Sequence, residues 1–427
     1  MVWRLFGSFL PAFLAALLFA VHPSHVEAVA WVSIRKDLLS TTFLLLTVHF
    51  YIRAVGGRAL KHGSYVASVL CFTLGLLSKV SIVALPLFLL LADAIPMAGR
   101  KATALKTALW NKVPYGVIGL ILVQLNRAAQ VTAKAAYAHD PLQYLMVKGH
   151  AVWIYLALLT GVPEGRPVYD TPQFAASLWP AVSNLSGLIV IPLFVWIAWR
   201  RGWRECALGA GWVFALLLPA LLFPLVTYMA DRYLYAPSLG FCWCVAAGIA
   251  WAGSRAAAGP ARAWTVAALA GIVLSLFAYR TVQYSRVWSS GEALWTYAIR
   301  RSQDYRVRNN LAQVRMGQKR YPEAEQLYRQ GAGIENFVSY QGIATVCYDT
   351  HRYAEAEQAI DRALDVAKRK GGDYTDISEI EYTKGAIAWV QGKNQDAIDA
   401  WEEALRVNPR HEQARQWLDT ARAQGRQ

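Results

Sequence analysis

HPSHVEAVAWVSIRKDLLST, residues His22 to Thr41, places two histidines, a glutamate and an Arg-Lys-Asp triplet between two apolar segments, residues 6–21 and 38–52. Each flanking segment lies close to the ~17-residue lower limit for a helix crossing a ~30 Å hydrocarbon core. The polar residues therefore read as a loop at a membrane surface. Ionisable groups are costly there unless they face water or a partner, which makes the loop a candidate site.

Working outward, the composition changes near residue 285. Residues 300–427 hold 20 Lys+Arg and 19 Asp+Glu, which leaves 23 and 9 to the preceding part. The basic excess behind the pI of 9.6 thus sits between apolar segments rather than on a soluble face, which argues against nucleic acid as a partner. Candidate membrane segments are 5–21, 38–53, 65–78, 80–95, 113–126, 144–160, 180–199, 206–225, 233–252 and 264–281. Pro86, Pro192 and Pro219 fall inside three of them, which membrane helices tolerate.

Four connections are basic: Arg53/Arg58/Lys61, Arg100/Lys101/Lys106/Lys112, Arg200/Arg201/Arg204 and Arg255/Arg262. The positive-inside rule makes them cytoplasmic. An even number of spans must then separate Lys112 from Arg200, so one of three candidates does not cross. The shortest, 113–126, is the choice, with 144–160 as the alternative. The expectation is about nine spans, a cytoplasmic N-terminus and an external C-terminus. Residues 6–21 carry no cleavage site and read as a span rather than a signal peptide.

The C-terminal part reads as helical repeats. Lys319-Arg-Tyr-Pro-Glu-Ala324 recurs as His351-Arg-Tyr-Ala-Glu-Ala356 and as Gly392-Lys-Asn-Gln-Asp-Ala397, at spacings of 32 and 41 residues. The first spacing is close to the ~34-residue tetratricopeptide period; the second is lengthened by the loop 370–376. The expected organisation is a membrane domain at 1–285, a linker at 286–303, and about three repeats plus a capping helix at 304–427. The overall class is all-α: a polytopic membrane bundle followed by an α-solenoid, whose surface serves as a spacer or binds protein or peptide. The five cysteines imply neither a disulfide framework nor a zinc site.

Each polar cluster has a structural reading beside the functional one. Ser24 and Glu27 fit a capping box, Asp37 could cap a helix beginning at Leu38, and Arg35 and Lys36 could anchor lipid headgroups. His22 and His25 have metal-like spacing without an evident third ligand, so no metal or other cofactor is expected, although a divalent metal is not excluded. Functionally, a short helix with Val26, Val29 and Trp31 in the interface would hold Glu27, Arg35, Lys36 and Asp37 at the mouth of a cavity suited to phosphate. Thr227 to Tyr235, TYMADRYLY, adds Asp231, Arg232 and three tyrosines on the same side.

HPSHVEAVAWVSIRKDLLS, MADRYLYAPSLGF (Met229 to Phe241) and the repeat array, in this order, resemble the TMTC-type transmembrane and tetratricopeptide-repeat proteins, relatives of the protein O-mannosyltransferases of the GT-C class. The resemblance covers nearly the whole chain. It implies a multi-spanning glycosyltransferase of a bacterial inner membrane that moves a sugar, mannose above all, from a polyprenyl-phosphate donor to protein Ser/Thr, with the repeats on the non-cytoplasmic side. It also places the start of this chain at the family's third span. The acidic residues of the family's first external loop fall outside, and no catalytic base is named. What carries over are candidate donor- or acceptor-site residues: His22, His25, Glu27, Arg35, Asp37, Asp231 and Arg232. A non-catalytic membrane-anchored repeat scaffold is the alternative, and a transporter a third reading that the absence of paired halves disfavours.

The charge pattern yields a test. A topology reporter fused after Gln427 should respond as external and one inserted near Gly63 as cytoplasmic; a cytoplasmic signal from the repeats would overturn the side assignment.

Overall fold

A computed structural model describes residues 8–424 except 57–59, 96–101, 130–139, 176, 224–226, 257–258 and 334–335. Arg58, Arg100 and Lys101 of the basic connections lie outside the described residues. The described residues are helical, without strands, and the chain divides into two compact units, Met1–Trp288 and Ser289–Gln427.

In the first unit, α1 (Phe9–Ala20) leads into a 3-10 turn, Pro23–His25, and the short α2 (Val26–Ala30). A second 3-10 turn, Val32–Ile34, opens into α3 (Arg35–Val55), followed by α4 (His62–Ser78), a 3-10 segment Val80–Ala84, α5 (Leu85–Ala94), α6 (Leu105–Trp110) and α7 (Val113–Ala129). Next come α8 (Pro141–Leu159), α9 (Leu178–Arg200), α10 (Arg204–Leu222), the 3-10 turn Asp231–Leu234, α11 (Ser238–Ala256) and α12 (Pro260–Val287).

Large apolar side chains stay on the outside of this unit, among them Trp179, Leu178 and Trp264. Water would penalise that surface; hydrocarbon does not. With lipid as the solvent, helices associate by close packing rather than by hiding apolar area. Glycines permit this at two crossings. A Cβ on Gly149 would lie 1.9 Å from the Asn184 carbonyl oxygen, and one on Gly187 2.1 Å from that of Gly149, so α8 and α9 touch backbone to backbone. Gly209 of α10 and Gly240 of α11 do the same. Phe88, Trp212 and Trp243 fill the core beside that second crossing, with ring centroids 4.9 and 5.1 Å apart.

Six described helical stretches are long and apolar enough to cross a membrane, or seven if the pair Phe9–Ala20 and Pro23–Ala30, bent by 50°, counts as one. This differs from the nine expected. The apolar windows at 65–78 and 80–95 fold as shorter helices broken at Lys79. Both 113–126 and 144–160 meet the length requirement, the former because the helix pair around it forms a stretch Leu105–Ala128. Lys148, which made 144–160 the alternative, is buried and donates to the carbonyls of Ala220 at 2.7 Å and Phe223 at 3.2 Å, capping the end of α10.

The second unit contains α13 (Gly291–Ile299), then three helix pairs: α14 (Tyr305–Gly317) with α15 (Tyr321–Ala332), α16 (Phe337–Asp349) with α17 (Tyr353–Lys370), and α18 (Tyr374–Val390) with α19 (Asn394–Val407). It ends in α20 (Glu412–Gln424). Within 286–303, α12 runs through Val287, and Ser290 caps α13 by accepting from the Ala293 N–H.

The three motif copies mark one turn repeated three times. Lys319, His351 and Gly392 have φ of 60°, 60° and 76°. The following N–H returns to the carbonyl five residues back, Arg320 to Arg315, Arg352 to Cys347 and Lys393 to Ala388, at 2.8–3.0 Å. This is the Schellman closure of each first helix, for which glycine is the unstrained residue; only the third copy has it. Ala324, Ala356 and Ala397 are fully buried where the second helix crosses the first.

In the isolated unit Ser289–Gln427, Ala356→Leu should overpack this crossing and lower stability by about 1–3 kcal/mol, whereas His351→Gly should raise it by up to about 1 kcal/mol by removing left-handed strain. Thermal unfolding followed by circular dichroism reads both; an unchanged Ala356→Leu curve would show that the position is not a packing contact.

Candidate functional site

Glu27 and Arg232 meet across 205 positions of sequence. Glu27 has no exposed surface; it accepts from the Arg232 backbone N–H at 2.9 Å and forms an ion pair with the Arg232 guanidinium. These bonds tie α2 to the turn Asp231–Leu234. A carboxylate held by both backbone and side chain of one residue fixes that residue's orientation as well as its position. The guanidinium lies 5.6 Å from the Trp31 ring centroid and 5.1 Å from that of Tyr233, in the range of cation–π attraction.

Asp37 is buried and pairs with Lys79, whose ammonium lies 5.5 Å from the other cation-bearing ring, Tyr233. Asp37, Lys79, Arg232, Tyr233 and Tyr235 line one small cavity of about 40 Å³, with Ser40, Thr41 and Ser81 among its polar walls. Two cations and one aromatic face, from two separate stretches of chain, converge there.

Asp231 faces another way. It has no exposed surface and accepts from the Tyr169 hydroxyl at 2.6 Å and the Tyr284 hydroxyl at 3.1 Å. Gly165 crowds it, since a Cβ there would lie 2.1 Å from its Oδ2. Burial, followed by the charge of Glu27, raises its pKa from 3.8 to about 7, with the tyrosine hydrogen bonds opposing. Tyr169 also lines a second cleft, of about 330 Å³, with His150, Arg166, Asp170 and Tyr228.

Both histidines are hydrogen-bonded within the fold. His22 Nε2 donates to the Leu159 carbonyl at 3.0 Å, which leaves Nδ1 to accept from the Ser24 N–H at 3.2 Å and hydroxyl at 2.8 Å. His25 Nε2 is 2.7 Å from the Ser238 hydroxyl, which itself donates to the Tyr235 carbonyl. These bonds anchor the loop to α8 and α11 and point the ring nitrogens at different partners rather than at one centre.

Three local readings need correction. No capping box forms, because Ser24 serves His22 and Glu27 serves Arg232. Asp37 is the third residue of α3, which begins at Arg35, so it does not precede the helix. Val26 is buried, and only Val29, Trp31 and Val32 remain exposed on that face. Arg35 is exposed and does not line the cavity. Lys79 takes the place expected of it. The signal was a single lysine between the apolar stretches 65–78 and 80–95; an isolated cation there needs a partner. Tyr169 and Tyr284, far from either motif, had no comparable signal.

Among the described residues one trio with metal-ligating atoms lies within 4.8 Å: Glu325, Cys347 and Glu355 in the repeats. Arg352 occupies it, pairing with Glu325 and, at 3.2 Å, with Glu355, and together with Arg329 it holds the Glu325 carboxyl below its usual range. A guanidinium already supplies the positive charge there.

Comparison with known proteins bears on both units. Tetratricopeptide repeat families match residues 284–336 and 336–410. The chain is 26% identical over 418 aligned residues to Protein O-mannosyl-transferase Tmtc3 of Drosophila melanogaster, covering 82% of this chain and 43% of that protein. It is 24% identical over 375 residues to Protein O-mannosyl-transferase TMTC1 of Homo sapiens, covering 74% and 41%. The resemblance to TMTC-type proteins thus extends over most of the chain, and the chain spans less than half the length of these curated relatives. Among solved structures, "Crystal Structure of the Yeast Tom70" aligns over 85% of this chain and 86% of its own, at 12% identity and a TM-score of 0.28.

Asp231 supplies a pH test. Its carboxyl titrates near 3.8 when unfolded and near 7 when folded. Between those values the folded state holds a proton that the unfolded state has released, so stability should fall as pH rises through that window and level off above about 7. Asp231→Asn should flatten this dependence in thermal unfolding of the detergent-solubilised protein; an equally steep profile would assign the titration to another group.

Proposed function

We propose that this chain is a membrane glycosyltransferase-like protein with a repeat domain that takes a polyprenyl-phosphate-linked sugar, mannose first among the candidates, and transfers it to protein Ser/Thr. The observation that carries the reading is the convergence of Lys79 and Arg232 on the Tyr233 face of one cavity. A departing phosphate needs positive charge already in place, and buried carboxylates hold two cations at this cavity. The names of the relatives support O-mannosylation as the setting. On this reading the cavity opens to the non-cytoplasmic side, the repeats lie on that side, and their surface holds acceptor or partner protein.

In such a transfer an acceptor hydroxyl oxygen attacks the anomeric carbon, the carbon–phosphate oxygen bond breaks, and the lipid phosphate leaves with the electron pair. Arg232 and Lys79 stabilise that charge. The hydroxyl proton goes to a carboxylate base.

The alternative, a non-catalytic repeat scaffold anchored in the membrane, draws on the fact that both cavity cations already have a carboxylate partner. A purely structural seal would be built in the same way.

Binding separates the two. Arg232→Gln strands the buried Glu27 and should cost about 3–5 kcal/mol of stability, so the informative variant is the neutral pair Glu27→Gln/Arg232→Gln. It should fold near wild type yet bind a detergent-dispersed prenyl phosphate about tenfold or more weakly, as loss of a charged hydrogen bond of about 1.5–3 kcal/mol implies. Equal binding by wild type and the pair variant would favour the scaffold.

A further inference from the structure

The two carboxylates of the cavity region are held differently. Glu27 accepts a backbone N–H and a guanidinium, so Arg232 cannot turn away without breaking two contacts. Asp37 is 4% exposed and touches the Lys79 ammonium, but neither of its oxygens receives a hydrogen bond of good geometry among the described residues.

Charge accounting makes this difference consequential. Glu27 neutralises Arg232 and Asp37 neutralises Lys79, so a phosphate entering the cavity brings negative charge with no free cation waiting. At low dielectric that is prohibitive unless a cation changes partner. Arg232 is fixed by backbone and side chain together. Lys79 carries a compact charge on a flexible stem, which can re-aim without losing a planar fork geometry, and it already lies against Tyr233, the ring that Arg232 flanks. Arg35 and Lys36 are exposed on the same first turn of α3 as Asp37 and leave it positive charge nearby when its partner departs.

Resting on the reading of this cavity as a phosphate site, we propose that Asp37 is the resident counter-ion that the donor phosphate displaces from Lys79, and that this exchange sets the affinity of the site. Asp37 is then a positioning residue: it stores the cation in place while the site is empty and competes with the ligand for it. The ligand class is a phosphate ester, with the exchange acting on the phosphate whether or not a lipid tail is attached.

The test uses the full chain in detergent, titrated with geranyl phosphate and separately with inorganic phosphate. Asp37→Asn keeps the shape and removes the competing charge, and should tighten both ligands by on the order of threefold or more, because a like charge facing the ligand is gone. A merely structural Asp37 would not give tighter binding. Lys79→Gln should weaken both about tenfold or more, and Asp37→Asn/Lys79→Gln should match Lys79→Gln, since the effect of Asp37 passes through Lys79. That double variant leaves no buried lone charge and supplies the comparison if Lys79→Gln alone fails to fold. Wild-type binding with Asp37→Asn unchanged or weaker would overturn the counter-ion exchange and leave the phosphate site standing. No binding of geranyl phosphate by the wild type would overturn the phosphate site itself, and the exchange with it.

Discussion

The pairing of Glu27 with Arg232 is the constraint on which the candidate site depends. Glu27 is taken out of water entirely and Arg232 for the most part, which is tolerated only with good geometry and added hydrogen bonds, and the Arg232 backbone N–H supplies the extra bond. Because that bond comes from the backbone, the pair fixes the whole turn Asp231–Leu234 and not only a side chain. Asp231 is thereby directed to Tyr169 and Tyr284, and Tyr233 to Lys79. Two loops remote in sequence become one wall of a cavity.

That wall stands on helices whose packing follows membrane rather than aqueous rules. Glycine contacts bring α8 to α9 and α10 to α11 at backbone distance, while tryptophans and leucines remain on the outside. A second buried polar group, Tyr51, Asp93 and Lys112, lies apart from the cavity, with the Tyr51 hydroxyl donating to Asp93 at 2.6 Å and Lys112 ion-paired to the same carboxylate. It links α3, the end of α5 and the connection before α7. Polar groups in this unit are therefore few and paired, and the cavity differs from the rest in gathering two such pairs beside one open space. The repeats obey the opposite solvent: small alanines at crossings, charged outer faces, and each pair closed by the same carbonyl-capping turn.

The division into an apolar and a charged part, the helical class and the repeat motifs were legible in the sequence because each depends on local periodicity and composition. So was the pairing of the His22–Asp37 and Asp231–Arg232 segments as one candidate site, since clustered charges beside apolar runs are informative wherever hydrocarbon is the solvent. Lys79 was not singled out from the sequence, although it is a lone cation between apolar stretches; Arg35, nearer the motif, drew the assignment.

Partner choice was decided only by the tertiary structure. Ser24 and Glu27 have the spacing of a capping box, yet each bonds elsewhere, because a long-range charged partner outweighs a local cap once both are buried. Arg35 and Lys79 are both cations near Asp37 in space or sequence, and helix direction turns the first outward while the break after α4 turns the second inward. The tyrosines around Asp231 come from α12 and from the loop after α8, a convergence that no spacing encodes. Sequence determines what each segment is and which solvent it suits; which buried charge meets which is settled by packing, because desolvation makes a distant partner in reach worth more than a neighbour that is not.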